Sequence, residues 1–455
     1  GSVTFETLHD VTDMMSASEW LDYARLAKYN MGAYGNRDAA FAPSYEADRL
    51  AFGGVAASWA NIDQAWSNGN YDPSKVGSYN WTDHGKQTGI THEHTLSASG
   101  GSDKFQGYAS FGYLNQKGTQ PGQAYERYTL KVSFDANPVE FFKMGASVNG
   151  SYADQDYGYN FSKSVTGAGD FYGALRSMLP WTVPYDANGD YIRLPNGDIN
   201  IINPIRELDY NTNQRRTFRA NASMYSQIDF GKIWEPLEGL SYRIQFGPEF
   251  QFYTLGIANA AEGINGDGNN KAQYKNEQKR SWTLDNLIYY DKEFGKHSVG
   301  LTLLQSATGY HYEESSMAAE GIPLESAKWN ALSKENVSLL DEWNSGLIEK
   351  QLLSYMFRVN YDYNNKYLLT VSGRWDGASQ LAEGNKWAFF PSAALGWRLD
   401  QEEFLKDVTW LNQLKFRLGV GVTGNSAIDP YQTKGAIVSL YYPFGSALAP
   451  GYRSE

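Results

Sequence analysis

A strand-like stretch with one apolar and one polar side recurs along most of this chain, and it constrains the fold more than any other feature. In Arg127–Asp135, for example, Tyr128, Leu130, Val132 and Phe134 alternate with polar residues. Successive side chains of a strand point to opposite faces, so each such segment has an apolar face and a polar face. Repeated segments of roughly ten residues, rich in aromatic side chains, are typical of strands between lipid and an aqueous lumen.

Composition narrows the class of protein further. The chain has 455 residues and no cysteine, which excludes disulfide frameworks, cysteine nucleophiles and thiolate metal sites. No run approaches the roughly 18 apolar residues of a membrane-spanning helix, so a helical membrane protein is excluded. The formal net charge of −12 argues against a nucleic-acid partner. Tyr, Phe and Trp make up 15% of the chain, which suits interfacial girdles or a carbohydrate-binding surface.

The connections between the predicted strands alternate in length. Short connections are predicted at 100–103, 136–139, 231–239, 293–296 and 364–366, and long ones at 10–91, 153–213, 254–279 and 312–349. Outer-membrane barrels have short periplasmic turns and long extracellular loops. The pattern therefore predicts an all-β fold, a transmembrane antiparallel up-and-down β-barrel with about 13 or 14 strands in this chain. On this rule the long loops at 10–91, 153–213, 254–279 and 312–349 are extracellular.

An open sheet of this size would leave two unpaired edges inside a bilayer, where each unsatisfied backbone group is costly. We therefore expect more strands in the parent protein and interpret residues 1–455 as a partial barrel domain. The abrupt start at Gly1-Ser2 and the end at Glu455 fit a fragment.

Charged residues within the strands indicate which face points inward. An arginine such as Arg358 or Arg417 at the lipid-facing midplane would cost on the order of 2–4 kcal/mol. The same argument assigns seven basic residues to the lumen face: Arg127, Lys131, Arg219, Arg243, Arg358, Arg374 and Arg417.

Five segments resemble the SusC/RagA-type TonB-dependent transporters of Bacteroidota outer membranes: Val11–Ser16, Thr95–Gly101, Lys366–Gly377, Phe389–Arg398 and Arg417–Asn425. The resemblance covers essentially the whole chain, and the last three segments are highly specific for the family. It implies a barrel of roughly 22 strands closed by an N-terminal plug. It also implies import of oligosaccharides or peptides with a SusD-like lipoprotein as lid, energised by the TonB complex through an N-terminal TonB box. The signal peptide, TonB box and plug would precede Gly1 and the last strands would follow Glu455, so we expect no transport by this chain alone.

Aromatic residues in the predicted loops are candidates for substrate contact. Trp181, Tyr185, Tyr191 and Trp329 could stack on the apolar faces of sugar rings, with nearby Asp and Asn accepting hydroxyl hydrogen bonds. Packing within the loops is the alternative and is slightly favoured for any single residue.

Two motifs suggest a metal site without completing one. His92-Glu93-His94 places two histidines on one strand face but has no evident third ligand, so polar lumen-facing residues at a strand mouth are the favoured interpretation. Asp186–Asp190 resembles a calcium loop, but the distal glutamate is absent and hairpin turns explain it better. A weakly held cation is the alternative. We predict no metal and no cofactor.

Ser16-Ala17-Ser18-Glu19 is a capping box that predicts a helix over residues 17–29. Trp20, Tyr23 and Leu26 follow helical spacing along it. We expect this helix to pack on neighbouring loops or on a lid protein rather than to contact substrate.

The chain contains no G-x-S-x-G, H-E-x-x-H or P-loop motif, so we do not expect an enzyme. The leading hypothesis is an energised outer-membrane importer. The alternative is a secreted all-β carbohydrate-binding protein or glycosidase, whose strands would bury both faces in a closed core. A passive porin or a membrane-embedded enzyme is a third hypothesis.

Overall fold

The computed structural model describes residues 1–7, 14–32, 43–159, 170–198, 201–333, 337, 339–405, 408–435, 437–444 and 447–454. Val11–Asp13, part of one segment that carries the family resemblance, lie outside the described residues.

Thirteen strands form one sheet in which each strand pairs with the next strand in the chain. All of the pairings are antiparallel, so the order is up-and-down. The strands are β1 Ser2–Glu6, β2 Gly89–Ser102, β3 Phe105–Lys117, β4 Gln123–Val139, β5 Phe142–Tyr157, β6 Asn211–Asp229, β7 Leu240–Asn259, β8 Lys271–Phe294, β9 His297–Glu320, β10 Leu339–Tyr363, β11 Tyr367–Ala378, β12 Trp387–Arg398 and β13 Lys415–Gly421. Two further strands, β14 Ile437–Phe444 and β15 Ala447–Ser454, form a separate antiparallel hairpin. The predicted all-β antiparallel architecture is confirmed.

Five α-helices lie in the described residues of the two longest connections: α1 Ala17–Asn30, α2 Tyr45–Phe52, α3 Ala56–Asp63, α4 Phe171–Arg176 and α5 Pro204–Tyr210. The predicted capping box of α1 is present, with the Glu19 N–H donating to Ser16 Oγ (3.3 Å) and the Ser16 N–H donating to Glu19 Oε2 (3.0 Å). Within the described residues, every helix is too short or too polar to cross a membrane.

The strand register places the apolar residues on one continuous face. Residues paired across neighbouring strands share a face. Leu130 of β4 is paired with Phe111 of β3, and the same register leads across the sheet to Leu418 and Val420 of β13. These side chains are exposed, by 53% for Leu130 and 75% for Val420. Since this face stays uncovered in the described part of the chain, it lacks the second layer that a secreted sandwich requires.

Aromatic side chains form two rows across the apolar face. Towards one end of the strands, register pairs join His94, Tyr113, Tyr128, Tyr152, Phe218 and Phe252 in a line over six strands. Towards the other end, register pairs join Tyr363, Tyr367, Trp397 and Phe416. Two aromatic rows that flank an apolar band are the interfacial girdles of a bilayer-spanning sheet.

The first aromatic row shows that the prediction for His92 and His94 was wrong. His92 and His94 lie on the apolar face, because His92 is paired with Val3 and His94 with Tyr113. The HxH motif therefore does not contribute polar residues to the inner mouth of a strand. His92 and His94 alternate in step with the apolar residues of β2, such as Leu96. The sequence alone did not show which face of β2 carries these histidines.

Connection lengths differ between the two ends of the sheet. One end, the short-turn end, carries the connections 103–104, 140–141, 230–239, 295–296, 364–366 and 399–414. The other end, the long-loop end, carries 7–88, 118–122, 158–210, 260–270, 321–338, 379–386 and 422–436. The turn 364–366 contains Asn364 and Asn365, both with positive φ (56° and 55°), as the primed hairpin turn requires.

Three of the four long loops were predicted too wide, whereas the loop predicted at 10–91 is shifted to 7–88. The predicted loop 312–349 is wrong at both ends, because β9 continues to Glu320 and β10 begins at Leu339. Likewise the connection predicted at 254–279 occupies only 260–270. Beyond the apolar band these strands carry polar residues on both faces. Lys275 Nζ pairs with Glu314 Oε2 (3.0 Å) on the polar face, and Arg280 Nη2 lies 3.9 Å from Glu313 Oε2 on the other face. The alternation therefore ends before the backbone pairing does.

At the short-turn end, one carboxylate holds the connection 399–414 against the sheet. Glu402 accepts hydrogen bonds from Lys366 Nζ (2.8 Å), Trp397 Nε1 (2.9 Å) and the Tyr367 hydroxyl (2.8 Å). These donors, with Lys366 the strongest, lower the pKa of Glu402 to about 2.

A basic residue on the apolar face should disturb membrane insertion more than the same residue next to it. We expect Val132→Arg to cost on the order of 2–4 kcal/mol in bilayer folding of the full-length protein, because Val132 lies mid-strand on the apolar face. Ser133→Arg is the matched control on the opposite face. Folding is measured by heat-modifiable migration on gels across a urea series, and equal losses for both variants would contradict the assignment of the faces.

The contact of Glu402 should weaken in acid. Since the folded-state pKa lies below the ordinary 4.5, this contact is stabilising above pH 4.5 and is lost as the pH falls towards about 2. Relative to the intrinsic exchange rate at each pH, the protection of the amides of residues 399–405 against hydrogen exchange should therefore fall over that range. Glu402→Gln should remove this pH dependence, whereas Glu293→Gln at another short turn should keep it; a pH dependence that survives in Glu402→Gln would refute the assignment.

Candidate binding surface at the long-loop end

The two longest connections, 7–88 and 158–210, are hydrogen-bonded to one another above the strands. Asn61 Nδ2 donates to the Trp181 carbonyl oxygen (2.8 Å), and Trp81 Nε1 donates to the Thr182 carbonyl oxygen (3.0 Å). Both acceptors lie on the turn after α4. The two loops therefore form one folded body, which we call the loop body.

Two small apolar cores fill the loop body. The first contains Trp81, Phe171, Ala174, Leu175, Met178 and Ile205, and the second contains Ala17, Leu21, Ile62 and Trp181. Each core takes side chains from both long connections. The buried Ala17, Leu21 and Arg25 show which side of α1 packs inward. The predicted spacing did not mark that side, because Tyr23 and Leu26 are exposed.

A buried ion pair joins α1 to α2. Arg25 is fully buried, and its guanidinium donates to both carboxylate oxygens of Asp48, at 2.8 Å and 2.6 Å. The Tyr71 ring lies 4.3 Å from the guanidinium carbon, and Trp66 Nε1 donates to Asp48 Oδ2 (3.2 Å). Burial by itself lowers the pKa of Arg25, but the hydrogen bonds and charge of Asp48 outweigh it and the net shift is upward. Sequence reasoning missed this pair because its members are 23 positions apart.

A second buried carboxylate ties the loop body to the connection 260–270. Glu207 of α5 is fully buried and accepts hydrogen bonds from the Ile264 N–H (2.8 Å) and from Arg206 Nη1 (3.2 Å). Arg206 also donates to the Glu262 carbonyl oxygen (2.7 Å). Burial raises the pKa of Glu207, although these partners oppose the shift. The loop body is thus anchored on the neighbouring loop.

The four aromatic residues predicted to contact substrate are not equally accessible. Trp181 is 2% exposed and packs edge-on against Phe52, so the structure argues against its contact with a ligand. Tyr185 is 37% exposed, and its ring lies 5.0 Å from that of Tyr191. Trp329 is half-buried, with its indole over Gly256 of β7. Tyr185, Tyr191 and Trp329 thus keep partly open rings, and their contact with substrate stays a prediction.

The segment Asp186–Asp190 forms the expected tight turn. The Asp186 carboxylate accepts hydrogen bonds from the backbone N–H groups of Asn188 (2.8 Å) and Asp190 (3.0 Å). Gly189 has a φ of 88°, which favours glycine. Over the part of the chain that the structure describes, no group of three or more His, Cys, Asp or Glu is arranged to hold a metal ion.

An open groove that the sequence did not predict lies beside the first apolar core. Its volume is about 320 Å³, and Met14, Met15, Trp20, Tyr79, Trp81 and Met178 contribute most of its apolar lining. The groove is formed by three separate stretches of the loop body, so no local motif signals it.

Loss of the Asp48 carboxylate should destabilise the loop body. We expect Asp48→Ala to cost about 3–5 kcal/mol, because it leaves the Arg25 guanidinium buried without its partner. Asp22→Ala is the control: Asp22 also contacts Arg25 (2.6 Å), but its side chain is 63% exposed, so we expect about 1 kcal/mol or less. The loss of stability in each variant is measured by hydrogen exchange of the α1 amides. Similar protection of these amides in Asp48→Ala and Asp22→Ala would contradict the predicted difference.

Curated relatives match most of this chain. TonB-dependent receptor P26 of Formosa agariphila is 30% identical over 408 residues, covering 87% of this chain and 38% of the receptor. TonB-dependent receptor P3 of the same organism is 29% identical, covering 87% and 39%. TonB-dependent receptor SusC of Bacteroides thetaiotaomicron is 26% identical over 412 residues, covering 85% and 39%. The chain thus spans 38–39% of the length of these relatives. No protein-family model matches it.

Solved structures share the fold. The RagAB peptide transporter superposes with a TM-score of 0.74 at 20% identity, covering 100% of this chain and 50% of that chain. The "closed-closed" state of the RagAB peptide importer gives a TM-score of 0.75 at 20% identity, covering 99% and 50%. The two-faced sheet, its aromatic girdles, the sorted connections and these relatives agree. Over most of its length the chain is therefore similar to TonB-dependent receptors, SusC among them, and it shares its fold with the RagAB peptide transporter.

Proposed function

We propose that this chain forms part of the barrel wall and the extracellular loops of an importer that carries oligosaccharides or peptides across the outer membrane. The observation that carries the proposal is the single sheet with an uncovered apolar face and a folded loop body at one end. The curated relatives support it through their printed names, all of which are TonB-dependent receptors. A catalytic role is not proposed.

The polar face of the sheet is the proposed wall of the transport lumen. The strand register supports this proposal, because by alternation seven basic residues share the face opposite Leu130 and Val132: Arg127, Lys131, Arg219, Arg243, Arg358, Arg374 and Arg417. On that face Arg374 donates to Asp376 Oδ1 (2.7 Å) and to Ser354 Oγ (2.8 Å). Polar networks of this kind suit an aqueous interior.

The loop body is the proposed site for substrate and for a SusD-like lipoprotein lid. The outward side of α1 carries Tyr23, which is 56% exposed, and Leu26, which is 36% exposed. Exposed aromatic and apolar residues on a rigid helix suit a protein partner better than water. Tyr185 and Tyr191 are the proposed aromatic contacts for substrate in the connection 158–210. Energy from a TonB complex would enter through a segment outside this chain.

Uptake by cells that express the full-length protein tests the proposal. We expect accumulation of a fluorescent oligosaccharide or peptide that stops on addition of a protonophore, because TonB-coupled import needs the proton gradient. Tyr185→Ala should reduce the uptake rate about tenfold or less, since one stacking contact contributes roughly 1 kcal/mol. Tyr363→Ala, in the lipid-facing girdle at the short-turn end, is the control of equal size. Uptake that persists without the proton gradient would indicate a passive pore and contradict the proposal.

A further inference from the structure

The groove beside the first apolar core has the shape and chemistry of a ligand pocket. Met14 and Met15 precede α1, Trp20 lies in its first turns, and Trp81 and Met178 come from more distant parts of the loop body. Its volume of about 320 Å³ falls within the range of small-ligand sites. Met14 and Met15 are each 48% exposed at its edge, so apolar surface is left for a ligand to cover.

One charged side chain lines this groove. This residue is Arg176, at the end of α4. Among the described residues that line the groove, no other is Asp, Glu, Lys, Arg or His. Arg176 is exposed, and it forms no ion pair with a described residue. A guanidinium presents paired donors that match a carboxylate. The groove therefore combines apolar walls with one anion-binding group.

We propose that the groove binds the C-terminal end of a peptide, with an apolar side chain between the methionines and the terminal carboxylate on Arg176. This inference rests on the proposed import function and deepens it by choosing peptides over oligosaccharides. A sugar would bring many hydroxyl groups into a lining of methionine, leucine and aromatic carbon that offers few partners for them. Of the polar lining groups, the Thr82 hydroxyl already donates to Asn80 Oδ1 (2.8 Å). Flexible methionine side chains adapt to apolar groups of different shape, which suits peptides of mixed sequence.

Peptide binding to the purified full-length protein in detergent tests the proposal. The probe is a fluorescein-labelled Gly-Ser-Gly-Leu-Leu peptide with a free carboxylate, compared with its C-terminal amide and with Gly-Ser-Gly-Ser-Ser. We expect the free acid to bind about tenfold more tightly than the amide, and replacement of both leucines to cost tenfold or more. Arg176→Gln should bring the acid to the affinity of the amide. Met15→Glu should weaken both leucine peptides by about tenfold.

Two exposed residues outside the groove provide matched controls. Arg49→Gln on α2 and Met31→Glu after α1 repeat the same chemical changes, and Met31 is 77% exposed. Both should leave peptide affinity unchanged, and heat-modifiable migration checks that every variant is folded. Groove variants that bind like the controls would overturn the peptide site while leaving energised uptake intact. If maltoheptaose competes with the peptide for the unsubstituted protein but not for Met15→Glu, the groove is a sugar site instead. If cells that express the full-length protein show no energised uptake, the proposed function itself is overturned.

Discussion

Antiparallel hydrogen bonding between each strand and its neighbour in the chain is the interaction on which the rest of the structure depends. In a bilayer, every backbone N–H and C=O group must find a partner within the protein. Thirteen strands paired in sequence order satisfy these groups through most of the sheet. Because pairing also fixes register, it brings the apolar residues of separate strands onto one face and aligns the two aromatic girdles.

Because the strands run up and down, short turns lie at one end of the sheet and long connections at the other. Short turns such as Asn364-Asn365 only reverse the chain, and Glu402 holds the longest connection at that end, 399–414, against the sheet. The other end has room for long insertions, which need apolar cores of their own. Buried charges join the pieces: Arg25–Asp48 within one connection, and Glu207 between two. The cost of burying these charges is offset only while their partners stay in place, so the loop body should respond to substitution as one unit.

Much of the fold could be predicted because its signals are local. Alternation along Arg127–Asp135 defines two faces, and Ser16 with Glu19 begins a helix at the predicted residue. Prediction failed where local patterns end or are ambiguous. The strands β9 and β10 extend past their apolar alternation, and His92 with His94 belongs to the apolar set. For Trp181 the sequence left substrate contact and loop packing both open, and a core assembled from distant residues covers it.

The sequence by itself determined the class of sheet, the sorting of long and short connections, and the family resemblance, because each depends on a repeat or segment within a few residues. Only the tertiary structure decided which loop aromatics remain open, that Arg25 meets Asp48, and that Met14, Met15 and Arg176 meet at one groove. These arrangements depend on contacts between residues far apart in the chain. Their energies come from burial and charge pairing, which no local pattern records.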